Sequence, residues 1–283
     1  MVTKDQRRRQ LAREKFERQQ QRRVQQRKRS TVRNAVIGGV VAVVAIGLVG
    51  AYAGGAFDSD SGKKKSDAAN ASPSVSASAS PSAAAVKDPC AKPAAGKPGT
   101  QQWKKEPAQT IDKSAQYTFT LTTTCGAIPI ALEAAKAPET VNSFDFLAGK
   151  GFFDHTKCHR LTTSGIYVLQ CGDPTGSGSG GPGYTIGDEN LTAFGKAGAS
   201  GSVTYKAGTV AMANTGQKHT GGSQFFLVYK DSPLPPSYTP FGTITADGMK
   251  VLSKIASAGE STGQGDGAPR ATVVINKARV TKS

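Results

Sequence analysis

Hydrophobic and polar residues divide the chain into segments of different character. Residues 35–56 form one uninterrupted apolar run, whereas residues 57–110 are dominated by Ser, Ala, Pro and Lys and have little to bury. Beyond them, short stretches alternate apolar and polar residues with the period of two that is typical of half-buried strands. The pattern predicts four regions: a basic segment at 1–34, an apolar helix at 35–56, a disordered linker at 57–110 and a folded domain at 111–283.

The folded domain is predicted to begin with a β-hairpin and to end with a strand. Residues 117–121 and 128–132 both alternate, and Cys125-Gly126 supplies a turn between them. Residues 272–280 form the closing strand. Short strand-like runs separated by Gly, Pro and Asp clusters fill the space between, so the domain is expected to be mainly β, as a closed antiparallel barrel or a sandwich.

Two helices are predicted to cap these strands. The first covers residues 138–147 and has Pro in its first turn, where the missing N–H costs nothing. Its inward face consists of Val141, Phe144 and Leu147. The second covers residues 248–256, and its inward face consists of Val251, Leu252 and Ile255.

The apolar run is long enough to cross a membrane. Residues 34–57 carry no charged side chain, and 24 residues of helix rise about 36 Å against a hydrocarbon core of about 30 Å. The long basic flank lies on the N-terminal side, which favours a cytoplasmic N-terminus. The sequence therefore predicts a single-pass anchor in the cell membrane with an extracytoplasmic domain. Ala51-Tyr-Ala53 also fits a small-x-small cleavage site, so a removed signal peptide is the alternative.

Positive charge is concentrated in the first segment. Residues 1–34 contain 13 Lys/Arg and 3 Asp/Glu, a net of +10 out of a total of +16, which leaves +6 for the rest. That distribution argues against a wholly basic nucleic-acid-binding fold. Residues 7–29 are interpreted as a solvated helix near anionic lipid, with nucleic-acid contact as the alternative. Nothing apolar outside the anchor requires a dimer, so a monomer is expected.

Few residues of the domain suit metal, cofactor or nucleophile chemistry. The three His are isolated, and neither Cys-x-x-Cys nor His-x-x-x-His occurs, so no metal and no cofactor are expected. Residues 176–181 spell G-x-G-x-x-G, but Pro182-Gly183 follows in place of a helix, which argues against dinucleotide binding. No Gly-x-Ser-x-Gly elbow precedes a helix, which weakens a serine-hydrolase interpretation.

Several short motifs occur in a distinctive order. They are His159-Arg160, residues 170–184, Asp188-Glu189, residues 210–214, residues 222–226 and Phe241-Gly242. In order and spacing, over residues 115–282, the chain resembles the cyclophilins, and its layout resembles the membrane-anchored cyclophilins of high-GC Gram-positive bacteria. The resemblance implies a closed eight-stranded antiparallel β-barrel capped by two α-helices. It also implies cofactor-free peptidyl-prolyl cis/trans isomerase activity on proline-containing polypeptides, here secreted or envelope proteins.

The resemblance also implies a catalytic site. Rotation about an X-Pro bond must overcome a barrier of roughly 18–20 kcal/mol, and the nitrogen of the twisted amide accepts a hydrogen bond. Arg160 would donate that bond, Gln170 would orient Arg160 or the substrate carbonyl, and Asn214 would hold the neighbouring peptide through main-chain groups. The residues implied for the proline pocket and the substrate groove are Tyr167, Val168, Ala213, Gln224, Phe226, Leu234 and Tyr238.

Some positions depart from the family pattern. Ten residues separate Arg160 from Gln170 where eight are usual, so residues 161–166 are expected to bulge. Pro233 stands where many cyclophilins have Trp, and Tyr238 replaces the usual pocket His. These changes predict retained isomerase activity with weak cyclosporin binding. They also keep open an alternative, a proline-segment binding module or holdase with incidental turnover.

The four cysteines suit an oxidising compartment, although spacing does not decide their pairing. Cys158 and Cys171 flank the hairpin whose arms carry Arg160 and Gln170, so we hypothesise one bridge there and a second between Cys90 and Cys125. Four unpaired thiols are the alternative. The single Trp, Trp103, is expected to dock on the domain surface, with exposure as the alternative.

Overall fold

The computed structural model describes residues 88–283. The predicted basic segment, the apolar helix and most of the linker lie outside the described residues. Within residues 88–283, no helix combines the length and the apolar character needed to span a bilayer.

The described residues form twelve strands and two helices. Their bounds are β1 Tyr117–Thr123, β2 Gly126–Leu132, α1 Pro138–Gly149, β3 Thr156–Lys157, β4 Arg160–Thr162, β5 Val168–Cys171, β6 Val203–Tyr205, β7 Thr209–Met212, β8 Phe225–Val228, β9 Ser232–Leu234, β10 Pro240–Ile244, α2 Ala246–Ser257, β11 Asp266–Gly267 and β12 Val274–Lys282. Ten strands form one curled sheet in the order β11-β4-β5-β8-β7-β10-β2-β1-β12-β3, and β6 pairs with β9 in a second sheet.

The opening hairpin and both helices form where the hydrophobic pattern predicts them. The turn between β1 and β2 falls at Thr124-Cys125, one residue before the predicted place, because Gly126 already pairs with Thr123. The predicted inward face of α1 is fully buried. Helix α2 begins two residues early at Ala246, where the Thr245 side chain accepts a hydrogen bond from the Gly248 N–H and caps the helix.

The structure contains a curled ten-stranded sheet where the resemblance implies a closed eight-stranded barrel. The segment from Thr156 to Thr162 changes partners in its middle, since the Cys158 N–H donates to Val273 O at 3.0 Å and the His159 N–H donates to Gln170 O at 3.1 Å. One expected strand is thereby divided into β3 and β4, which lie near opposite ends of the strand order. Strand β11 pairs with β4 as a further addition, so the curled sheet has ten strands.

Alternation along the strands separates two apolar clusters. Phe225 packs in the main core with Phe119, Phe144 and Phe241, and the rings of Phe144 and Phe241 lie 4.6 Å apart. The next residue, Phe226, belongs to a smaller cluster on the other face of the sheet. Successive strand residues point to opposite faces, so the core and the smaller cluster lie on the two faces of the same sheet.

Residues 88–110, assigned to the linker from sequence, lie against the domain. Both hypothesised disulfides are present, and one of them, Cys90–Cys125, fastens this segment to the first hairpin. The Trp103 N–H donates to Pro182 O at 2.8 Å, and its indole packs on Phe146 at 5.1 Å between ring centroids. The docking predicted for Trp103 is confirmed. The Ser/Ala/Pro composition did not predict these contacts, because the main contacts are made by one cysteine, Cys90, and one aromatic residue, Trp103.

Candidate active site

Three neighbouring strands bring three predicted site residues side by side. Arg160 on β4 pairs with Gln170 on β5, and Gln170 pairs with Phe226 on β8. Residues directly opposite each other in an antiparallel ladder project from the same face. Arg160, Gln170 and Phe226 therefore form a row across one face of the sheet.

Asp266 holds the guanidinium of Arg160 in a bidentate pair. Arg160 Nε donates to Asp266 Oδ1 at 2.8 Å, and Nη2 donates to Oδ2 at 2.7 Å. Arg160 Nη1 donates to Gln170 Oε1 at 3.3 Å. The hydrogen bonds to Asp266 raise the pKa of Arg160, and burial acts in the opposite direction. The sequence analysis missed Asp266, which lies 106 residues from Arg160 in a Gly-rich loop without a recognisable motif.

A buried carboxylate organises the loop that presents Asp266. Glu260 is 4% exposed and accepts hydrogen bonds from the Thr262 N–H at 2.6 Å and from the Gly265 N–H at 2.9 Å. The Thr262 hydroxyl donates to the same carboxylate at 2.7 Å, and Asp266 O lies 3.1 Å from the same hydroxyl oxygen. These hydrogen bonds, that of the Thr262 side chain first, lower the pKa of Glu260. The loop is therefore tied internally between Glu260 and Asp266.

A chain of side-chain amides extends from Arg160 toward a second Gly-rich loop, at residues 176–183. Gln170 Nε2 donates to Gln224 Oε1 at 2.9 Å, and Gln224 Nε2 donates to Gly180 O at 3.0 Å. Each amide thus uses its oxygen toward Arg160 and its nitrogen away from it. Arg160 is constrained from two directions, by Asp266 on one side and by this chain on the other.

An apolar cluster lies next to Arg160 and supplies the predicted pocket walls. Phe226, Leu234 and Val168 are 5%, 7% and 3% exposed and pack together, with Ala213 and Tyr238 half-buried at the edge. The Phe226 and Tyr238 rings lie 5.4 Å apart at 84°. The Tyr205 hydroxyl donates to Tyr238 O at 2.7 Å and supports this edge.

The structure does not place Tyr167 in the pocket wall. Its ring packs edge to face on Tyr229 at 5.9 Å, with Lys230 Nζ 4.5 Å from the ring centroid. Strand alternation explains the difference, because Ile166, Val168 and Gln170 share one face and Tyr167 points to the other. Ile166, which the sequence analysis left in the bulge, packs against the smaller cluster instead.

A groove of about 1030 Å³ continues from the row of side chains. Gln170, Ala213, Asn214 and Gln224 line its end nearest to Arg160. The Asn214 side chain donates to Ser237 O at 2.7 Å and accepts from the Gly216 N–H at 3.0 Å, so its amide shapes the loop. The Ala213 N–H is already bonded to Gln224 O at 2.9 Å.

Residues 118–280 match the family model described as cyclophilin type peptidyl-prolyl cis-trans isomerase. The chain belongs to this cyclophilin family.

Two mycobacterial proteins share about half of the aligned residues with this chain. The probable peptidyl-prolyl cis-trans isomerase B of Mycobacterium leprae is 50% identical over 170 residues, which are 59% of this chain and 57% of that protein. Its counterpart in Mycobacterium tuberculosis strain H37Rv is 51% identical over 165 residues, covering 57% of this chain and 53% of that protein. The chain thus spans little more than half the length of these relatives. A crystal structure of a cyclophilin type isomerase from Cryptosporidium parvum aligns with a TM-score of 0.49 at 25% identity, covering 60% of this chain and 99% of that one.

The described cyclophilin domain has no group of three or more His, Cys, Asp or Glu side chains arranged to hold a metal ion. His159, the neighbour of Arg160, is half-buried, and neither of its ring nitrogens has a hydrogen-bond partner among residues 88–283. Burial lowers its pKa, with Asp173 opposing the shift. His159 therefore belongs to the packing of the cyclophilin domain, and Arg160 remains the charged group beside the pocket.

Proposed function

We propose that this protein is a peptidyl-prolyl cis/trans isomerase that acts on X-Pro bonds of secreted or envelope proteins. The observation that carries the proposal is the placement of Arg160 beside an apolar cluster, with its guanidinium held by Asp266 and Gln170. Membership of the family and the names of the mycobacterial relatives support it.

The hydrogen bonds of Arg160 leave two donors for a substrate. A guanidinium has five N–H groups, and Asp266 and Gln170 use three of them, so one N–H remains on each terminal nitrogen. When the X-Pro amide twists, its nitrogen lone pair is no longer delocalised and becomes an acceptor. A donor held in place stabilises that twisted state more than the planar ground state, which is the requirement for catalysis.

The apolar cluster would bind the proline ring. Phe226, Leu234 and Val168 offer a surface without hydrogen-bonding groups, and Tyr238 would close its edge. Binding the ring there would exclude water from the adjoining guanidinium, which strengthens its hydrogen bond to the prolyl nitrogen. Gln170 would position Arg160, while Gln224 and the main chain at Ala213 and Asn214 would border the flanking peptide.

Cyclosporin is proposed to bind weakly. Pro233 lies exposed on β9 beside Leu234, and proline has neither an indole ring nor an N–H donor. Titration of the inhibitor against isomerase activity measures this directly. Pro233→Trp is expected to tighten inhibition, and nanomolar inhibition of the unmodified protein would contradict the proposal.

The domain is proposed to face away from the cytoplasm, held by residues 35–56 as a single-pass anchor with residues 1–34 inside. The uniform basic flank supports this orientation, and the disulfides Cys90–Cys125 and Cys158–Cys171 suit an oxidising compartment. Protease added to intact cells should digest the linker and release the domain. Mass spectrometry of the mature protein separates a retained anchor from the alternative of a cleaved signal peptide.

Exchange NMR on a Pro-containing peptide tests the enzymatic proposal, because it reports cis/trans interconversion without a coupling protease. The full-length protein is compared with Arg160→Ala, and loss of the guanidinium is expected to lower kcat/KM by about 10²-fold, as for other fixed transition-state donors. Leu234→Ala serves as a pocket control that weakens binding while leaving the guanidinium intact. Equal rates for the unmodified protein and Arg160→Ala would favour the alternative, a proline-segment binding module or holdase.

A further inference from the structure

The groove beside the proposed site is built from two parts of the chain. Its inner side comes from the matched domain, through Gln170, Gln224, residues 178–185 and the loop that follows Ala213. Its outer rim comes from residues 102 and 104–106, which precede the region matched by the family model. The rim therefore lies outside the part of the chain that the family model matches.

The rim is anchored at both ends. On one side the Trp103 N–H donates to Pro182 O at 2.8 Å, and the Trp103 indole packs on two phenylalanine rings. Gly183 has a φ of 90° and lies so close to the segment around Trp103 that a Cβ would stand 2.7 Å from Trp103 O. On the other side the Asn142 side chain donates to Ala108 O at 3.0 Å and accepts from the Thr110 N–H at 2.8 Å. Residues 104–106 are thus held against the groove.

All of the charge in the groove lining comes from this rim. The lining residues of the domain are Gln, Gly, Ser, Pro, Tyr, Thr, Ala and Asn, whereas the rim contributes Lys104, Lys105 and Glu106. Glu106 lies near the Tyr184 hydroxyl and adds to the rise in its pKa, which is due first to burial. Neither lysine forms a salt bridge with a carboxylate among residues 88–283. Two exposed ammonium groups and one carboxylate therefore lie together on the rim of an otherwise uncharged groove.

We propose that Lys104 and Lys105 make this groove selective for polypeptides that carry Asp or Glu within a few residues of the isomerised proline. The inference rests on the proposed function for the location of the proline. An acidic side chain in the groove meets two cations on the rim, whereas a basic side chain meets one carboxylate there, Glu106, and none on the domain wall. Because the lysines are exposed, the preference is expected to be about two- to five-fold per lysine and to weaken with salt.

The test uses peptides that share one X-Pro bond and differ only in a Glu, Gln or Lys at each flanking position in turn. Exchange NMR on the full-length protein gives both the affinity and the interconversion rate for each peptide. The expected order is Glu over Gln over Lys at the positions that occupy the groove. The Glu/Gln ratio should approach one in Lys104→Gln/Lys105→Gln and invert in Lys104→Glu/Lys105→Glu. In the unmodified protein it should decline between about 0.05 and 0.5 M NaCl, because salt screens the attraction between exposed charges.

A matched variant controls for net charge. Lys254→Gln/Lys277→Gln removes the same two charges from exposed positions on α2 and β12, outside the groove, and should keep the Glu/Gln ratio of the unmodified protein. An unmodified protein without charge preference, or an equal preference in the Lys104/Lys105 variants, would overturn the inference. The unmodified protein and Arg160→Ala could turn over the Gln peptide at equal rates. That result would reject the proposed function but not the charge preference, which the peptide affinities still test.

Discussion

Asp266 is expected to matter more for catalysis than for stability. Its carboxylate makes two charge-assisted hydrogen bonds to Arg160, at 2.8 and 2.7 Å, and no other described carboxylate pairs with that guanidinium. Asp266→Asn keeps the size of the side chain but removes its charge and one acceptor. Asp266→Ala removes both acceptors and leaves Gln170 as the remaining partner of Arg160.

The expected magnitudes follow from exposure and geometry. The Arg160 and Asp266 side chains are 39% and 54% exposed, so solvent screens their attraction and the pair contributes only about 0.2–1 kcal/mol to the free energy of unfolding. Catalysis depends on where the guanidinium points, and a displacement of about 1 Å can cost up to about 10²-fold in rate. Since Gln170 still holds Nη1, we expect a decrease in kcat/KM of about ten-fold for Asp266→Ala, mostly in kcat.

Exchange NMR and thermal unfolding on the same samples separate the two effects. Asp266→Glu should recover part of the lost rate, because a carboxylate can again accept from Nε and Nη2. Asp266→Ala should unfold within a few degrees of the unmodified protein. An unchanged kcat in Asp266→Ala would refute the reasoning, because the ion pair would then not position Arg160 for catalysis. An increased kcat would also refute it, because the ion pair would then hold Arg160 away from its catalytic position.

Three further predictions concern the framework around the site. Reducing Cys158–Cys171, or replacing both residues with Ala, should lower the free energy of unfolding by about 2–4 kcal/mol, because the bridge spans 13 residues between the strands of Arg160 and Gln170. Chemical denaturation measures this change, and an unchanged midpoint would contradict the prediction. Trp103→Ala should lower stability by about 2 kcal/mol, less than a fully buried Trp, with Trp103→Phe as the milder control. Burial lowers the pKa of His159 below 6.5, so the unfolded chain takes up the proton first and the free energy of unfolding should fall as pH decreases through about 6.5. Urea titrations at several pH values should show this slope flattened in His159→Gln, and equal slopes in both proteins would exclude His159 as its source.

Local patterns in the sequence were sufficient for the regular elements. The face of α1 and the alternation of β1 and β2 follow from residues close together in the chain, whereas the earlier start of α2, set by the Thr245 cap, was not predicted. The motif order was sufficient for the family and for the row of Arg160, Gln170 and Phe226, because strand pairing within a known fold sets their register.

The predictions that failed depend on distances between remote parts of the chain or on register. Tyr167 was aligned by counting back along a bulged segment, and a shift of one residue in a strand moves a side chain to the opposite face. The ten-stranded sheet arises because residues 156–162 change pairing partners after Cys158, from β12 to β5. Alternation along one strand does not indicate which other strand it pairs with.

The sequence by itself determined the elements, the family and the identity of the charged group beside the pocket. Only the tertiary structure decided which carboxylate holds Arg160 and which segment borders the groove. Asp266 reaches Arg160 across 106 residues because the Glu260 hydrogen bonds shape its loop, and residues 104–106 reach the groove because Trp103 docks on α1. Both are contacts between segments far apart in the chain, whose meeting depends on how the whole sheet curls and packs rather than on any local preference.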